Sequence, residues 1–549
     1  YEILIGLVGS EMCIRDSLPG KDKVDGINNM EESRVKKSLL NARVNLIFYV
    51  LILLISFFSR KIFLNCLGAD FVGLTGTLMS LLNFLNLAEL GISTAIGYVL
   101  YKPIFEHDET RINEIISVLG YMYRWIGRII IAAGVALSCF LPVIFPSTGF
   151  SYGIIYFAYY SFLASSLIGY FANYRQTLLG ADQRNYVVAF YFQTASIIKI
   201  ICQMLSAWYT GSYYLWIGIE LFFGIIYSFI LNWKINQVYP WLKSNVALGK
   251  ELFKKYPEVT KYTKQLFMHR LGSFFQFQVT PFLVYAFVSL QMAAYFGNYS
   301  TIVEKLHLLV NNLLGSTEAS VGNLIAEGNA GKIRKVFSEL FSLRMLIAGT
   351  VCFPLYQLLE PFITLWLGAG YILPREIMLL LVIRLFITIT RGVVDQFLYG
   401  YGLFWDVWAP LAESVINISV AIIGGYLWGL PGVLLGGISS LILIVGIWKP
   451  FMLYNWGFRK NVMNYWFQFG YQLALILISA VFMGWIWKFV PLQPSASFFS
   501  WFLCAFLMAV SYGGVTVLLM YCGTQGMRGM VRRALEMAGT RLPWRKKTE

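Results

Sequence analysis

Two runs of polar side chains recur at helical spacing inside otherwise apolar sequence. Asn83, Asn86, Glu89, Ser93 and Gly97 form the first, and Thr301, Glu304, His307, Asn311, Gly315 and Glu318 form the second. Steps of three and four residues gather each run on one helix face. Glu89, Glu304 or His307 could take up or relay a proton or sodium ion there. A second group is cationic. Arg124, Arg270, Arg344 and Arg384 sit deep in apolar runs, and a guanidinium grips phosphate oxygens in bidentate fashion. With Lys199, Lys305 and Arg128 they outnumber the acids Glu89, Glu220, Glu304, Glu318 and Glu413 of the same runs. The chemistry on offer is recognition of an anion, with a titratable face beside it.

Further stripes follow the same spacing: Ser117, Tyr121, Arg124 and Arg128; Ser196, Lys199, Gln203 and Ser206; Gln265, His269, Gly272, Gln276 and Thr280; Arg384, Thr388, Arg391 and Asp395. Each has a plainer reading. Long cations snorkel to the bilayer surface or pair with nearby acids, and Lys199, Lys305 and Arg128 suit that best. The Asn/Glu face can instead hydrogen-bond between helices. His307 beside Glu304 fits a structural hydrogen bond better than a proton relay.

The composition says what holds these residues. The chain has 549 residues, of which 58% are hydrophobic and 13% charged, with a mean hydropathy of +0.64. Soluble proteins carry roughly 25% charged residues. A multi-spanning membrane protein remains, all-α because a bilayer leaves backbone groups to bond within their own segment. A hydrocarbon core of about 30 Å asks for about 20 apolar residues per span. About fourteen spans fit, the second over 72–101, the seventh over 258–289 and the eighth over 292–325.

Residues 1–29 read as an extraneous segment, and MEESRVKK from Met30 as the native start. From Met30 there are 40 Lys and Arg. With the N-terminus inside, 29 fall on the cytoplasmic side (Arg391 counted there with an inner loop), and Arg60, Lys61, Arg375 and Lys488 outside. The other seven lie within spans. Basic residues favour the cytoplasmic side, so both termini are expected in the cytoplasm. The net charge of +15 thus mostly sets orientation.

Sliding the chain on itself by 221 pairs Gly76 with Gly297, Leu85 with Leu306, Glu106 with Glu327, and Arg111-Ile112 with Lys332-Ile333. Asn83 then meets Glu304 and Asn86 meets His307. At 220, Arg124 meets Arg344, and QTLLG (176–180) meets QFLYG (396–400). The unit holds six spans, so its copies share one topology and a pseudo-two-fold axis normal to the membrane. The expected organisation is a lobe over 30–245 with its linker, a lobe over 246–456, and two extra helices with a basic tail over 457–549. The tail segment 528–547 reads as an amphipathic helix on the anionic inner leaflet.

Seven scattered Cys and three His form no metal spacing. No phosphate loop is present. No cofactor, metal, catalytic residue or nucleic-acid partner is expected.

LGADFVGLTGTLMSLLNFLNLAELGISTAIGYVLYKPIFE (67–106) resembles the opening signature of bacterial polysaccharide flippases, the O-antigen and capsule exporters of the MATE-like superfamily. YRQTLLGADQRNYV (174–187) is similar to a second family segment. The resemblance covers most of 34–456. It implies two six-helix lobes around a lumen, often with two extra helices. It also implies transfer of undecaprenyl-diphosphate-linked repeat units across the bacterial inner membrane by alternating access, with other polysaccharide-assembly proteins as partners. The anionic head group would be held by Arg124, Arg270, Arg344 and Arg384. A multidrug/ion antiporter of the same superfamily is the close alternative, although it would favour an acidic lumen. A membrane glycan polymerase or ligase is the alternative of another class, and would need a long external loop.

Overall fold

The computed structural model describes residues 48, 51–52, 54–89, 92–146, 149–182, 184, 186–260, 263, 267, 279–314, 321–322, 324–325, 327–403, 405–406 and 408–539. Every regular element among them is helical, as backbone in hydrocarbon requires. They divide into two units, one ending at Ala294 and the other starting at Tyr295.

The first unit contains α1 (Leu54–Leu67), α2 (Ala69–Leu85), α3 (Ile92–Phe105), α4 (Glu109–Ser138), α5 (Tyr152–Ala172), α6 (Gln176–Ala181), α7 (Tyr186–Thr210), α8 (Tyr213–Val238) and α9 (Gly249–Lys255). Gly68, at φ +86°, turns α1 into α2 with 117° between their axes. Glycine adopts that left-handed backbone without a Cβ clash. Leu74, Leu78, Ile115, Ile116 and Leu119 fill the centre of this unit, all buried.

Across the boundary runs α10 (Leu290–Leu314). The second unit continues with α11 (Ala330–Trp366), α12 (Arg375–Gly400), α13 (Trp408–Trp428), α14 (Leu430–Phe458), α15 (Met463–Phe489), α16 (Phe498–Gly523) and α17 (Gln525–Gly539). Its core gathers aromatic rings: Phe337 meets Phe397 and Phe458 edge-on at 5.1 Å each.

Thirteen of the fourteen expected spans coincide with a described helix; the seventh lies mostly outside the described residues. Nine described helices are long and apolar enough to cross a bilayer unaided, and the bent pair α1–α2 adds to them. The second span departs from expectation. Instead of one helix over 72–101, α2 stops at Leu85, a 3-10 turn covers Asn86–Glu89, and α3 starts at Ile92. Asn86 and Glu89 bond sideways to other helices, and broken backbone at membrane depth is tolerated where protein covers it.

The repeat has a structural counterpart. His107 (φ 55°) precedes Asp108, whose Oδ1 caps α4 by accepting from the Arg111 amide at 2.9 Å. At a shift of 221, Gly328 (φ 73°) precedes Asn329, whose Oδ1 caps α11 by accepting from the Lys332 amide at 3.0 Å. A side chain at this position satisfies one of the orphan amides of a helix start. The packing boundary falls later than the linker: Tyr285 donates to the Ile144 carbonyl at 2.5 Å, and Arg60 to the Ala294 carbonyl at 3.3 Å, within the first unit.

The basic tail differs from a helix lying only on lipid. Gly526 and Gly529 of α17 press against Ser338 and Glu339 of α11, and Met527 is buried. Arg533 pairs with buried Glu339 at 2.7 Å. Residues 540–547 lie outside the described residues.

Candidate functional site

In the first unit the polar face of the second span meets α4 and α5. Glu89, at the break after α2, accepts from the Tyr123 hydroxyl at 2.6 Å and from Ser93 Oγ at 3.3 Å, while Ser93 and Tyr123 bond each other. Asn86 Oδ1 accepts from Ser166 Oγ at 3.1 Å and from the Tyr170 hydroxyl at 3.0 Å. The rings of Tyr123 and Tyr170 pack edge to face at 5.5 Å. Hydroxyl donors therefore satisfy the two central residues, Asn86 and Glu89, and half-buried Asn83 stands one turn earlier. Buried hydroxyls are also hydrophobic enough in their rings to seal the surrounding helices.

Arg124 is not in this network. It stands exposed on α4, as does Arg128, which lies over Trp125 at 5.7 Å. The expected α4 stripe is rotated: Ser117 is buried and ties the Asn113 carbonyl (2.6 Å) to the Asn245 amide (2.8 Å). Lys199 pairs with Glu220 at 2.7 Å, and Gln203 donates to the other oxygen of Glu220 at 2.9 Å. Lys199 thus follows the plainer reading of pairing with a nearby acid.

In the second unit the equivalent face collects charge. On α10, Glu304 and Asn311 stand exposed and His307 is half-buried, with its Nε2 2.8 Å from Asn311 Nδ2. His307 lies within electrostatic reach of Arg344, Arg384 and Arg391, and Glu304 within reach of Arg384. Arg344 is only 5% exposed and donates from Nη1 to the Ile389 carbonyl at 3.2 Å. Its guanidinium occupies the space beside Gly392, where a Cβ would sit 2.2 Å from Nη1. One glycine thus makes room for one arginine. Arg391 pairs with Asp395 at 2.9 Å. Three guanidiniums thus lie within electrostatic reach of one imidazole, with Asp395 paired to Arg391 and Glu304 within reach of Arg384.

Of the expected cations, Arg344 and Arg384 therefore converge, Arg124 stands apart, and Arg270 and Glu318 lie outside the described residues. Two contributors escape the sequence reading, and a third, Arg391, enters it only as a member of a polar stripe. Tyr123 and Tyr170 escape it because phenols look like packing residues. Arg391 sits inside α12 rather than in a loop, although its place in the stripe from Arg384 to Asp395 signals it. Caps at a constant shift of 221 also equate Tyr123 with Arg344, and both are buried, so the pairing of Arg124 with Arg344 at 220 is replaced.

No family model matches the chain. A protein of Yersinia pseudotuberculosis, provisionally assigned to O-antigen export, is 23% identical over 435 residues, covering 74% of this chain and 92% of that one. Among solved structures, the lipid II flippase MurJ in an inward closed conformation superposes with a TM-score of 0.62 at 14% identity, covering 91% of this chain and all of that one. An inward-facing multidrug resistance MATE transporter gives 0.55 at 13% identity, over 72% and 93%. These two likenesses show the fold, a polytopic all-α architecture, in keeping with the described helices long and apolar enough to cross a bilayer.

Proposed function

We propose that the chain flips undecaprenyl-diphosphate-linked oligosaccharide repeat units, of O-antigen or a related surface polysaccharide, from the inner to the outer leaflet of a bacterial inner membrane. The observation that carries this reading is the convergence of Arg344, Arg384 and Arg391 around His307 in a membrane-spanning unit. Intramembrane cations are expensive and persist where they have a partner or a cargo. A diphosphate supplies the matching charge and the oxygens for bidentate bonds. The likeness to an O-antigen export protein along most of both chains supports the same cargo class.

In this reading the two lobes alternate access to a lumen lined by these arginines, with Arg270 contributing from the seventh span and Arg124, exposed on α4, left outside it. Both termini are cytoplasmic, and Glu89, Glu304 or His307 couples transport to an ion. An excess of cations over acids disfavours a cationic-drug cargo.

The test is complementation of a gene deletion, reading surface glycan and inner-leaflet lipid-linked sugars at matched membrane levels of protein. Arg344→Ala and Arg384→Ala are each expected to lower surface glycan at least tenfold and to leave repeat units accumulated inside. Normal export by both variants would remove the cationic site from the mechanism. Unpolymerised units at the surface of the deletion strain would instead indicate a polymerase.

A further inference from the structure

A second cluster of the second unit is unused by the mechanism above. Trp405, Trp408, Trp448, Phe451 and Trp456 pack edge to face: Trp408 on Trp448 at 4.8 Å, Trp405 on Trp456 at 5.1 Å, Phe451 on Trp456 at 5.7 Å. All but half-buried Trp448 are exposed. Trp448 is pinned, its Nε1 donating to Asp406 Oδ2 at 2.9 Å, and the same oxygen pairs with Lys449 at 2.6 Å. The panel is therefore a fixed surface rather than a set of separate interfacial anchors. Trp405 precedes α13 and Trp408 opens it, while Trp448 and Trp456 of the panel lie in two π-helical stretches of α14, Leu441–Trp448 and Leu453–Phe458. That winding is rare and concentrates at functional sites.

The panel borders an open recess of about 560 Å³, within the size range of cavities that hold small ligands, lined by Phe451, Asn455, Arg459, Lys460, Asn461 and Val462. Arg459 caps α14 in a left-handed conformation (φ 51°), unfavourable for a residue with a Cβ by roughly 1–2 kcal/mol. The lining is basic and amidic, with no carboxylate in it. Asp406, the acid of the neighbouring panel, is already engaged by Lys449 and Trp448.

An indole face is electron-rich and receives the C–H edges of a sugar ring, while Arg and Lys receive phosphate oxygens. We propose that this rim is a loading site for the diphosphate and first sugars of a lipid-linked oligosaccharide, before the head group reaches the arginines around His307. The proposal rests on the cargo class proposed above. The orientation proposed there puts α14's basic end at the cytoplasmic face, where such lipids are assembled.

The experiment measures equilibrium binding of radiolabelled farnesyl-diphosphoryl-N-acetylglucosamine, and of bare farnesyl diphosphate, to the full chain in phosphatidylcholine nanodiscs. Wild type is expected to prefer the sugar-bearing probe. Trp405→Ala and Trp408→Ala should each reduce that preference about fivefold or more and leave bare farnesyl diphosphate unaffected. The double change Arg459→Gln/Lys460→Gln should weaken both probes at least tenfold. Trp485→Ala, at an exposed tryptophan elsewhere, should change neither. Trp408→Leu replaces Trp408→Ala if the latter does not elute as a single species.

Overturning results are equal losses for both probes in the tryptophan variants, wild-type binding in the double variant, or displacement of the probe by phosphatidylglycerol, which would make the rim a site for ordinary anionic lipid. Rim variants with normal binding and normal export would sink the loading site and leave the proposed cargo standing. A wild-type protein with no preference for the sugar-bearing probe, in a deletion strain with normal lipid-linked sugars, would sink both.

Discussion

The two units treat the same repeat position in opposite ways. In the first, Asn86 and Glu89 meet Tyr123, Tyr170, Ser93 and Ser166, and the face is closed by neutral hydroxyls. In the second, His307 and Glu304 meet Arg344, Arg384 and Arg391. At the residue equivalent by the helix caps, a buried phenol in one copy is a buried guanidinium in the other. The scaffold tolerates both because each buried polar group is given a partner. The difference teaches that duplication supplied the frame, while among the described residues the guanidiniums within reach of this face lie in the second copy.

The largest expected effect comes from disturbing the guanidinium without removing its charge. Gly392→Ala places a methyl 2.2 Å from Arg344 Nη1. Export measured by surface glycan should fall at least tenfold, with protein still present in the membrane. Unchanged export would mean that the position of Arg344 is immaterial and the contrast between units is not functional.

A smaller effect is expected in the first unit. Tyr123→Phe removes one of the donors to Glu89 and keeps Tyr170 and Ser93 near it. The lost hydrogen bond is worth about 1–3 kcal/mol. Thermal unfolding in detergent should begin a few degrees lower, with export retained within about threefold. A collapse of export comparable to that of Gly392→Ala would erase the asymmetry and make the Glu89 network part of transport, as an ion-coupling site would be.

The smallest effect belongs to Arg128→Gln. This cation is exposed on α4, against Trp125, and outside both networks. Substitutions at such positions usually stay within about 0.5 kcal/mol. Melting temperature and export should both match wild type, and a strong loss of export with normal stability would bring the exposed face of α4 back into the cargo path.

Much of the frame was legible before any coordinates. Apolar runs fall where α4, α5, α8 and α11 to α16 lie, because hydrocarbon demands about 20 consecutive apolar residues whatever the packing. The match of residues 106–112 with 327–333 anticipated two helix starts built alike, since a cap is a local device written in a few side chains. Legibility stops at the second span. Hydropathy reads 72–101 as continuous, and only partners on α4 and α5 reveal why the helix breaks at Asn86–Glu89. It stops also at the tail, whose arginines read as lipid ligands until Glu339 is seen beneath Gly529 and Arg533.

The sequence by itself determined that this protein crosses a membrane many times, repeats a six-span unit, and carries more intramembrane cations than acids. Those are properties of composition, order and local spacing. Tertiary structure alone decided which cations act together. Arg124 and Arg344 are both arginines in apolar helices, yet one stands exposed on α4 and the other is buried beside Gly392, bonded to the Ile389 carbonyl. Helical periodicity places a residue on a face, but which neighbour that face meets depends on helix rotation and approach, and these are settled by packing among segments far apart in the chain.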